Sequence, residues 1–278
     1  MIGPLRKLFG GSRPAASVGP TASVPQGERI FAIGDIHGRL DLFDALISAI
    51  ETEDAARPQA KTTIILLGDL IDRGPNSAGV LERARHWQAD RIARGSNFHI
   101  LIGNHEEMLL EALEKEEVLR HFVTYGGKET ILSFGLDADI YTKATWPELQ
   151  ALMRQVITPD WLAFIRSFVP IIRIGDYAFV HAGVKPDRPL EAQNASDLRW
   201  IREPFLSSTA DHGAVIVHGH TITEDAVLRP NRIGIDTGAY QSGRLTALLL
   251  EGSQRWLISA LESRQEPMGS ILVSRTAA

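Results

Sequence analysis

Three times before residue 107 an apolar run ends at a glycine and hands over at once to polar or charged side chains. Arg29–Ile33 runs into Gly34-Asp35-Ile36-His37-Gly38, Thr62–Leu67 into Gly68-Asp69-Leu70-Ile71-Asp72-Arg73-Gly74, and Phe98–Ile102 into Gly103-Asn104-His105-Glu106. The second run is rich in β-formers and alternates poorly, which predicts a strand buried on both faces. After each cluster the pattern turns helical. Leu40, Phe43, Leu46, Ile47 and Ile50 follow the first at helical spacing, Val80, Leu81, Ala84 and Trp87 mark a helix over about 77–94, and a third helix starts at Glu107. Strand, turn and helix in succession imply βαβ units, hence neighbouring parallel strands joined by right-handed crossovers. Charged groups just past the carboxyl ends of such strands are where open α/β sheets keep their chemistry. Aspartate is also a common helix cap, so no single cluster is decisive.

From Leu109 to Phe168 the pattern is mostly helical, broken at Gly126-Gly127 and Gly135, with helix starts at Trp146-Pro147 and Thr158-Pro159. It reads as a helical insertion that caps the site and carries no obvious reactive group. The last third is β-rich. Ile171–Ile174 and Tyr177–Val180 bracket a Gly175-Asp176 turn and form a hairpin whose second strand ends in His181-Ala182-Gly183. Ala214–Val217 leads into His218-Gly219-His220-Thr221, and Ala226–Arg229, Arg232–Ile235 and Arg244–Leu250 continue as short strands. The expected organisation is one domain over 28–262. A Gly-, Pro-, Ser- and Ala-rich tail over 1–27 precedes it, and a C-terminal tail over 263–278 follows, with one apolar spot at Ile271-Leu272-Val273.

Composition narrows the class. With 278 residues, 44 % apolar and 23 % charged, the chain can bury a large core without staples. The absence of cysteine excludes disulfides and thiolate metal sites. A net charge of −5 with no basic block argues against a nucleic-acid partner or a nuclease. No apolar run approaches the roughly 20 residues of a membrane span, and no continuous hydrophobic region marks a signal peptide, so the expectation is a cytoplasmic protein with no membrane partner. The oligomeric state is left open.

Five predicted strands thus end in polar clusters: Asp35/His37, Asp69/Asp72/Arg73, Asn104/His105, His181 and His218/His220. Carboxylate, imidazole and amide donors without thiolate suit borderline divalent ions rather than a calcium cage. There are too many donors for one ion. Two ions about 3.5–4 Å apart, sharing a carboxylate, would use them, and Asp69 at the end of the most buried strand is the candidate for the shared ligand. Two such ions bind an anionic substrate and lower the pKa of a shared water, which fits in-line attack on phosphorus.

The blocks Gly34–Gly38, Gly68–Gly74 and Gly103–Glu106 resemble the three signature blocks of the calcineurin-like metallophosphoesterases. The resemblance is greatest to the phosphoprotein phosphatase branch with its bacterial and phage members and the symmetrical diadenosine tetraphosphatases. His181-Ala182-Gly183, Gly219-His220-Thr221 and Ile235-Asp236-Thr237-Gly238-Ala239-Tyr240 resemble the later blocks, so the likeness spans about 29–250. Ile222 stands where wider members place a further histidine, which again fits the phosphoprotein phosphatase branch. The resemblance implies an α/β fold: a β-sandwich flanked by helices, with the site at the carboxyl ends of the central strands. It implies that Asp35, His37 and Asp69 hold one metal, and that Asp69, Asn104, His181 and His220 hold the other. Manganese is the first choice, with Fe, Zn, Ni or Co as alternatives. It further implies that His105 protonates the leaving oxygen, that Asp72 orients it, and that Arg73 and Arg202 bind phosphoryl oxygens. Asn104 and Tyr240 join these among the substrate-facing groups, Tyr240 with a core role as the alternative.

The expected activity is a two-metal phosphoester hydrolase, first of all a serine/threonine-type protein phosphatase acting on phosphorylated proteins. A symmetrical dinucleoside polyphosphate hydrolase, with a small-molecule phosphate substrate, is the alternative. An inactive metal-binding regulatory protein is the reading from another class. His218 is left between a role behind the ligands and a purely structural one, and His86, His99, His121 and His212 carry no motif.

Overall fold

The computed structural model describes residues 22–263 and 270–278. The strand that opens the chain, β1 (Glu28–Ile33), is followed by α1 (Leu40–Ala56), β2 (Lys61–Leu66), α2 (Ser77–Ala93), β3 (Asn97–Ile100) and α3 (Asn104–Ala112). Five further helices fill the predicted insertion: α4 (Glu116–Phe122), α5 (Lys128–Ser133), α6 (Ala138–Lys143), α7 (Trp146–Val156) and α8 (Pro159–Arg166). Then come β4 (Ile171–Ile174), β5 (Tyr177–Val180), α9 (Ala195–Trp200), β6 (Val215–His218), β7 (Val227–Leu228), β8 (Arg232–Gly234) and α10 (Ala239–Ser242). Three strands close the chain: β9 (Arg244–Glu251), β10 (Gln254–Glu262) and β11 (Ile271–Ala277).

These strands make two sheets. One has the order β11-β10-β9-β1-β2-β3 and the other β4-β5-β6-β8-β7. β1 to β3 are mutually parallel, as are β5, β6 and β8, so each sheet gathers several carboxyl ends on one edge. The pleat sorts the side chains of β1: Phe31 and Ile33 join the core under the helices, while Ile30 and Ala32 join the core between the sheets. In the second layer Tyr177, Phe179, Val215, Val217 and Ile233 face them. Burial on both faces is why β1 and β2 read as continuous apolar runs. A third cluster, with Ala178, Val180, Ile216 and Phe205, covers the outer face of the second sheet.

The ends of the chain depart from expectation. Of the predicted N-terminal tail, residues 1–21 lie outside the described residues. Residues 22–27 belong to the body, with Val24 buried and its N–H donating to Gly252 O at 2.9 Å. The predicted C-terminal tail contains β11, which pairs antiparallel with β10 from Ile271 to Ala277; residues 264–269 lie outside the described residues. β11 is an edge strand. Its backbone pairs only with β10 and its side chains from Leu272 onward are exposed, so it lacks the apolar alternation that would announce a strand. Among the described residues no helix is long and apolar enough to cross a membrane.

Beneath α1 runs an ion network built on Arg29, which is 1 % exposed. Its guanidinium donates to Asp54 at 2.7 Å and Glu251 at 2.8 Å, while Arg91 and Arg57 hold the same two carboxylates from the other side at 2.7 and 2.6 Å. Burial raises the Asp54 carboxyl, but Arg91, Arg29 and the Thr62 hydroxyl outweigh it and hold it below its ordinary value. Glu251 is likewise held down against burial by Arg29 and Arg57. Carboxyls depressed in the folded state stabilise above their unfolded pKa and lose that stabilisation as pH falls through the folded pKa. Arg29→Met is therefore expected to cost on the order of 3 kcal/mol at neutral pH and progressively less as pH falls below the ordinary carboxyl range toward the depressed folded values. Urea unfolding at pH 7 and pH 3 checks this, and equal losses at the two pH values would contradict it.

Candidate metal and phosphate site

Every predicted cluster lies where the parallel strands end, and the backbone there is unusual. Five non-glycine residues among those described have positive φ: His37 (47°), Asp69 (50°), Asp72 (71°), Arg73 (69°) and His220 (63°). Left-handed backbone is costly for such residues and concentrates where a site demands it. The carboxylate of Glu106 sustains the tight turns, taking the N–H groups of Asp69 (3.0 Å), Leu70 (2.8 Å) and Gly103 (2.9 Å). Burial and then the nearby Asp69 charge push Glu106 up to about 7. Gly103 has no alternative: a Cβ there would overlap Asp69 Oδ1.

Asp69 is the centre. Its Oδ2 lies 3.4 Å from His181 Nε2, 3.6 Å from His37 Nε2 and 3.9 Å from His105 Nε2. Two triads bring one ligand atom per residue within 4.8 Å of one another, His37–Asp69–His105 and Asp69–His181–His220, and Asp69 belongs to both. Asn104 Oδ1 stands 2.9 Å from His181 Nε2 and 2.9 Å from His220 Nδ1, which adds a neutral oxygen to the second triad. Asp35 borders the group. Its Oδ2 accepts the His220 N–H at 3.0 Å and its Oδ1 is buried without a partner. Burial, and then the charge of Asp236, drive the Asp35 carboxyl well above its usual range.

The second ring nitrogens fix the imidazoles. His37 Nδ1 is 2.7 Å from Ile71 O, and His181 Nδ1 is 2.8 Å from Leu67 O, which makes each Nδ1 the donor and leaves Nε2 as the atom that could bind a metal. Burial lowers His37 to about 3, and burial with the neighbouring His181 charge lowers His220 to about 3, so both rings are in the neutral form that a metal ligand requires. His181 moves the other way. Burial works against its charge, but Asp69 and Asp35 overcome it and raise the ring to about 10. A carboxylate field that favours one positive charge so strongly favours a divalent cation too. An orphaned carboxylate oxygen, an oxygen- and nitrogen-only donor set and two triads sharing one aspartate all fit a two-metal centre.

His105 has a different hold. Its Nδ1 is 2.6 Å from Asp72 Oδ2, and Asp72 Oδ1 accepts from the Thr130 hydroxyl at 2.5 Å. The Asp72 N–H donates to Ser77 Oγ (3.0 Å) and Thr130 Oγ1 (2.9 Å). Burial works to lower the His105 pKa, yet Asp69 and Asp72 outweigh it and raise it. Arg73 reaches both neighbouring rings, Nη1 to His37 Nε2 and Nη2 to His105 Nε2, each at 3.0 Å, and its guanidinium carbon lies 4.7 Å from the Tyr240 ring centroid. The kink between α4 and α5 secures it: the Arg73 N–H donates to Gly126 O at 3.0 Å, and Gly126, at φ 107°, passes so close that a Cβ would lie 2.7 Å from Arg73 N.

Above these groups opens a cleft of about 1000 Å³ lined by Asp69, Arg73, Asn104, His105 and His220, with Tyr125, His121, Trp200, Arg202 and Tyr240 around them. Tyr240 is partly exposed to it and its ring stands edge-on to His37 at 5.3 Å, so its place is the cleft and not the core. Arg202 is exposed beside His220. His218 is placed elsewhere: its ring packs on Phe205 at 5.1 Å with Nδ1 3.0 Å from Gly219 O, behind the strand end and outside both triads. Three supporting groups had no predicted role. Glu106 lies inside a motif and was a legible signal, whereas Ser77 and Thr130 reach Asp72 from α2 and from the insertion with nothing in the sequence to mark them.

Two packed sheets carrying acid, imidazole and amide donors on one edge define a metallophosphoesterase. A family model described as calcineurin-like phosphoesterase matches residues 28–242, and the chain belongs to that family. It is 26 % identical over 267 residues to a symmetrical bis(5'-nucleosyl)-tetraphosphatase of Janthinobacterium sp. (strain Marseille), covering 79 % of this chain and 92 % of that one. A relative of the same description in Acidovorax ebreus is 30 % identical over 67 % of this chain, which spans about half (51 %) of that protein's length. Serine/threonine-protein phosphatase 1 of Salmonella typhimurium is 28 % identical, over 78 % of this chain and 89 % of the relative. The fold is shared with a solved cold-active protein tyrosine phosphatase (TM-score 0.55, 19 % identity, 90 % of this chain and 81 % of that one).

Proposed function

We propose that the chain hydrolyses dinucleoside polyphosphates, which reverses the order of the two substrates expected from sequence. The observation that carries this reading is the pair of aromatic faces left open in the cleft. Tyr125 is 52 % exposed and Trp200 43 % exposed, and both line the space shared with Arg73 and His105. Trp200 is fixed by its indole N–H, which donates to Glu107 at 2.6 Å, and Tyr125 is stacked on His121 with ring centroids 6.1 Å apart. Exposed, fixed aromatics are platforms for bases, worth about 1–3 kcal/mol each. The relatives support it: besides the symmetrical tetraphosphatases, a PrpE asymmetrical tetraphosphatase of Bacillus velezensis is 26 % identical over 77 % of this chain.

Ions held by Asp35, His37, Asp69, Asn104, His181 and His220 would supply charge neutralisation at the phosphoryl group and a water of lowered pKa. The remaining work falls to side chains. Arg73, clamped by Gly126 O, offers its fork to two phosphoryl oxygens, and Arg202 lines the same cleft near His220. His105 Nε2 gives its proton to the departing oxygen. Its inclusion in a ligand triad sets a ligand role against this one. The acid role is chosen on geometry: Asp72 holds Nδ1 at 2.6 Å, and Nε2 stands 3.0 Å from Nη2 of Arg73, beside the fork assigned to the phosphoryl oxygens. Asp72, itself held by Thr130 and Ser77, keeps Nδ1 protonated and the ring aimed.

Tyr125→Ala and Trp200→Ala are each expected to raise KM for diadenosine tetraphosphate by about 5- to 100-fold, the worth of one stacked base. Turnover of a small aryl phosphate, which reaches neither ring, should stay within about threefold. Dinucleotide KM values unchanged in both variants would refute the stacking role and with it this reading.

A further inference from the structure

On the outer face of the five-stranded sheet, apart from the two triads, two arginines lie together without a counter-ion. Arg232 opens β8 and pairs with Ile216 of β6, so it shares that residue's face, the one covered by Phe205. It is 8 % exposed. Its Nη2 donates to Leu206 O at 2.8 Å, its guanidinium carbon is 5.9 Å from the Phe205 ring centroid, and its Nε is buried without a partner. Arg229 is exposed and belongs to the same turn, its N–H donating to Arg232 O at 2.8 Å. Among the described residues neither guanidinium has a carboxylate within 4.0 Å. Glu203 acts on Arg232 from farther away, and its Oε2 is taken by the Ser207 hydroxyl at 2.5 Å.

These residues line a separate depression of about 250 Å³, together with Ser207, Ser208, Thr209 and Asn231. A buried guanidinium facing a carbonyl, an aromatic ring and a second guanidinium is poorly compensated, since buried charges are ordinarily paired. An oxyanion between the two forks would supply the missing charge, and the volume admits a tetrahedral group with room to spare. We propose that this depression is a second anion site, which takes a phosphate-type oxyanion, either the free ion or the phosphate of a mononucleotide, through Arg229 and Arg232. The hydroxyls of Ser208 and Thr209 stand on the same rim.

The test is calorimetric titration of the metal-loaded chain with inorganic phosphate and, in a parallel arm, with AMP. Wild type should show two classes of bound phosphate, one at the catalytic cleft and one here. Arg229→Ala and Arg232→Met should each lose the second class, with at least about a tenfold weaker affinity, while aryl phosphate turnover at low phosphate is unchanged. Tighter binding of AMP than of phosphate would assign the site to a nucleotide's phosphate, and equal binding to the free ion; either supports the site. Titrations of Arg229→Ala indistinguishable from wild type would overturn it. That variant alters an exposed side chain, so its result stands even if Arg232→Met fails to fold. The readout is binding, so it stands whichever substrate the cleft prefers.

Discussion

Asp69→Asn is expected to lose tightly bound metal and activity together. Asp69 belongs to both ligand triads, and its Oδ2 is within 3.4–3.9 Å of three imidazoles. The amide keeps one oxygen to accept the His105 N–H, now taken by Oδ1 at 3.0 Å, so the turn it anchors should survive. What disappears is the shared negative charge. The loss in affinity for at least one ion should exceed about 10²-fold, the upper end of what even supporting residues behind a ligand cost. Metal content after gel filtration reads the outcome, with circular dichroism as the check on folding. A variant that retains two tightly bound ions per chain would remove Asp69 from its shared position.

His105→Asn tests a different part of the site. Metal content should match wild type, while kcat falls by about 10²–10⁴-fold, the usual worth of a positioned general acid. The loss should depend on the leaving group. An oxygen of low pKa departs without a proton, so a nitrophenyl ester should be penalised far less than an alkyl phosphate. A uniform loss across leaving groups, or loss of an ion, would mean that His105 acts as a metal ligand, as its geometry in the first triad also allows.

Much of this arrangement was legible because parallel strands impose a simple rule. β1, β2 and β3 read as apolar runs because both faces are buried, and the polar residue after each falls on the same edge as its neighbour's. The hidden parts are of two kinds. β11 is an edge strand with Leu272 59 % and Val273 48 % exposed, so burial imposes no period on it. The other kind depends on distance in sequence. Thr130 meets Asp72 across 58 residues and Gly126 O receives the Arg73 N–H, yet hydroxyls and carbonyls carry no local signature. The insertion, which displays no reactive group of its own, therefore supports both Asp72 and Arg73. His121 was likewise silent, since a histidine without a motif gives no hint that it will back Tyr125 in a cleft.

The most direct test compares kcat/KM for diadenosine tetraphosphate, a phosphoserine/phosphothreonine peptide and a phosphotyrosine peptide. All three are assayed with manganese-loaded enzyme, with His105→Asn as control. Preference for the dinucleotide by at least about tenfold, lost in the control, is the result predicted from the aromatic cleft. Preference for a phosphopeptide by a similar factor would contradict it and return the enzyme to the protein phosphatases.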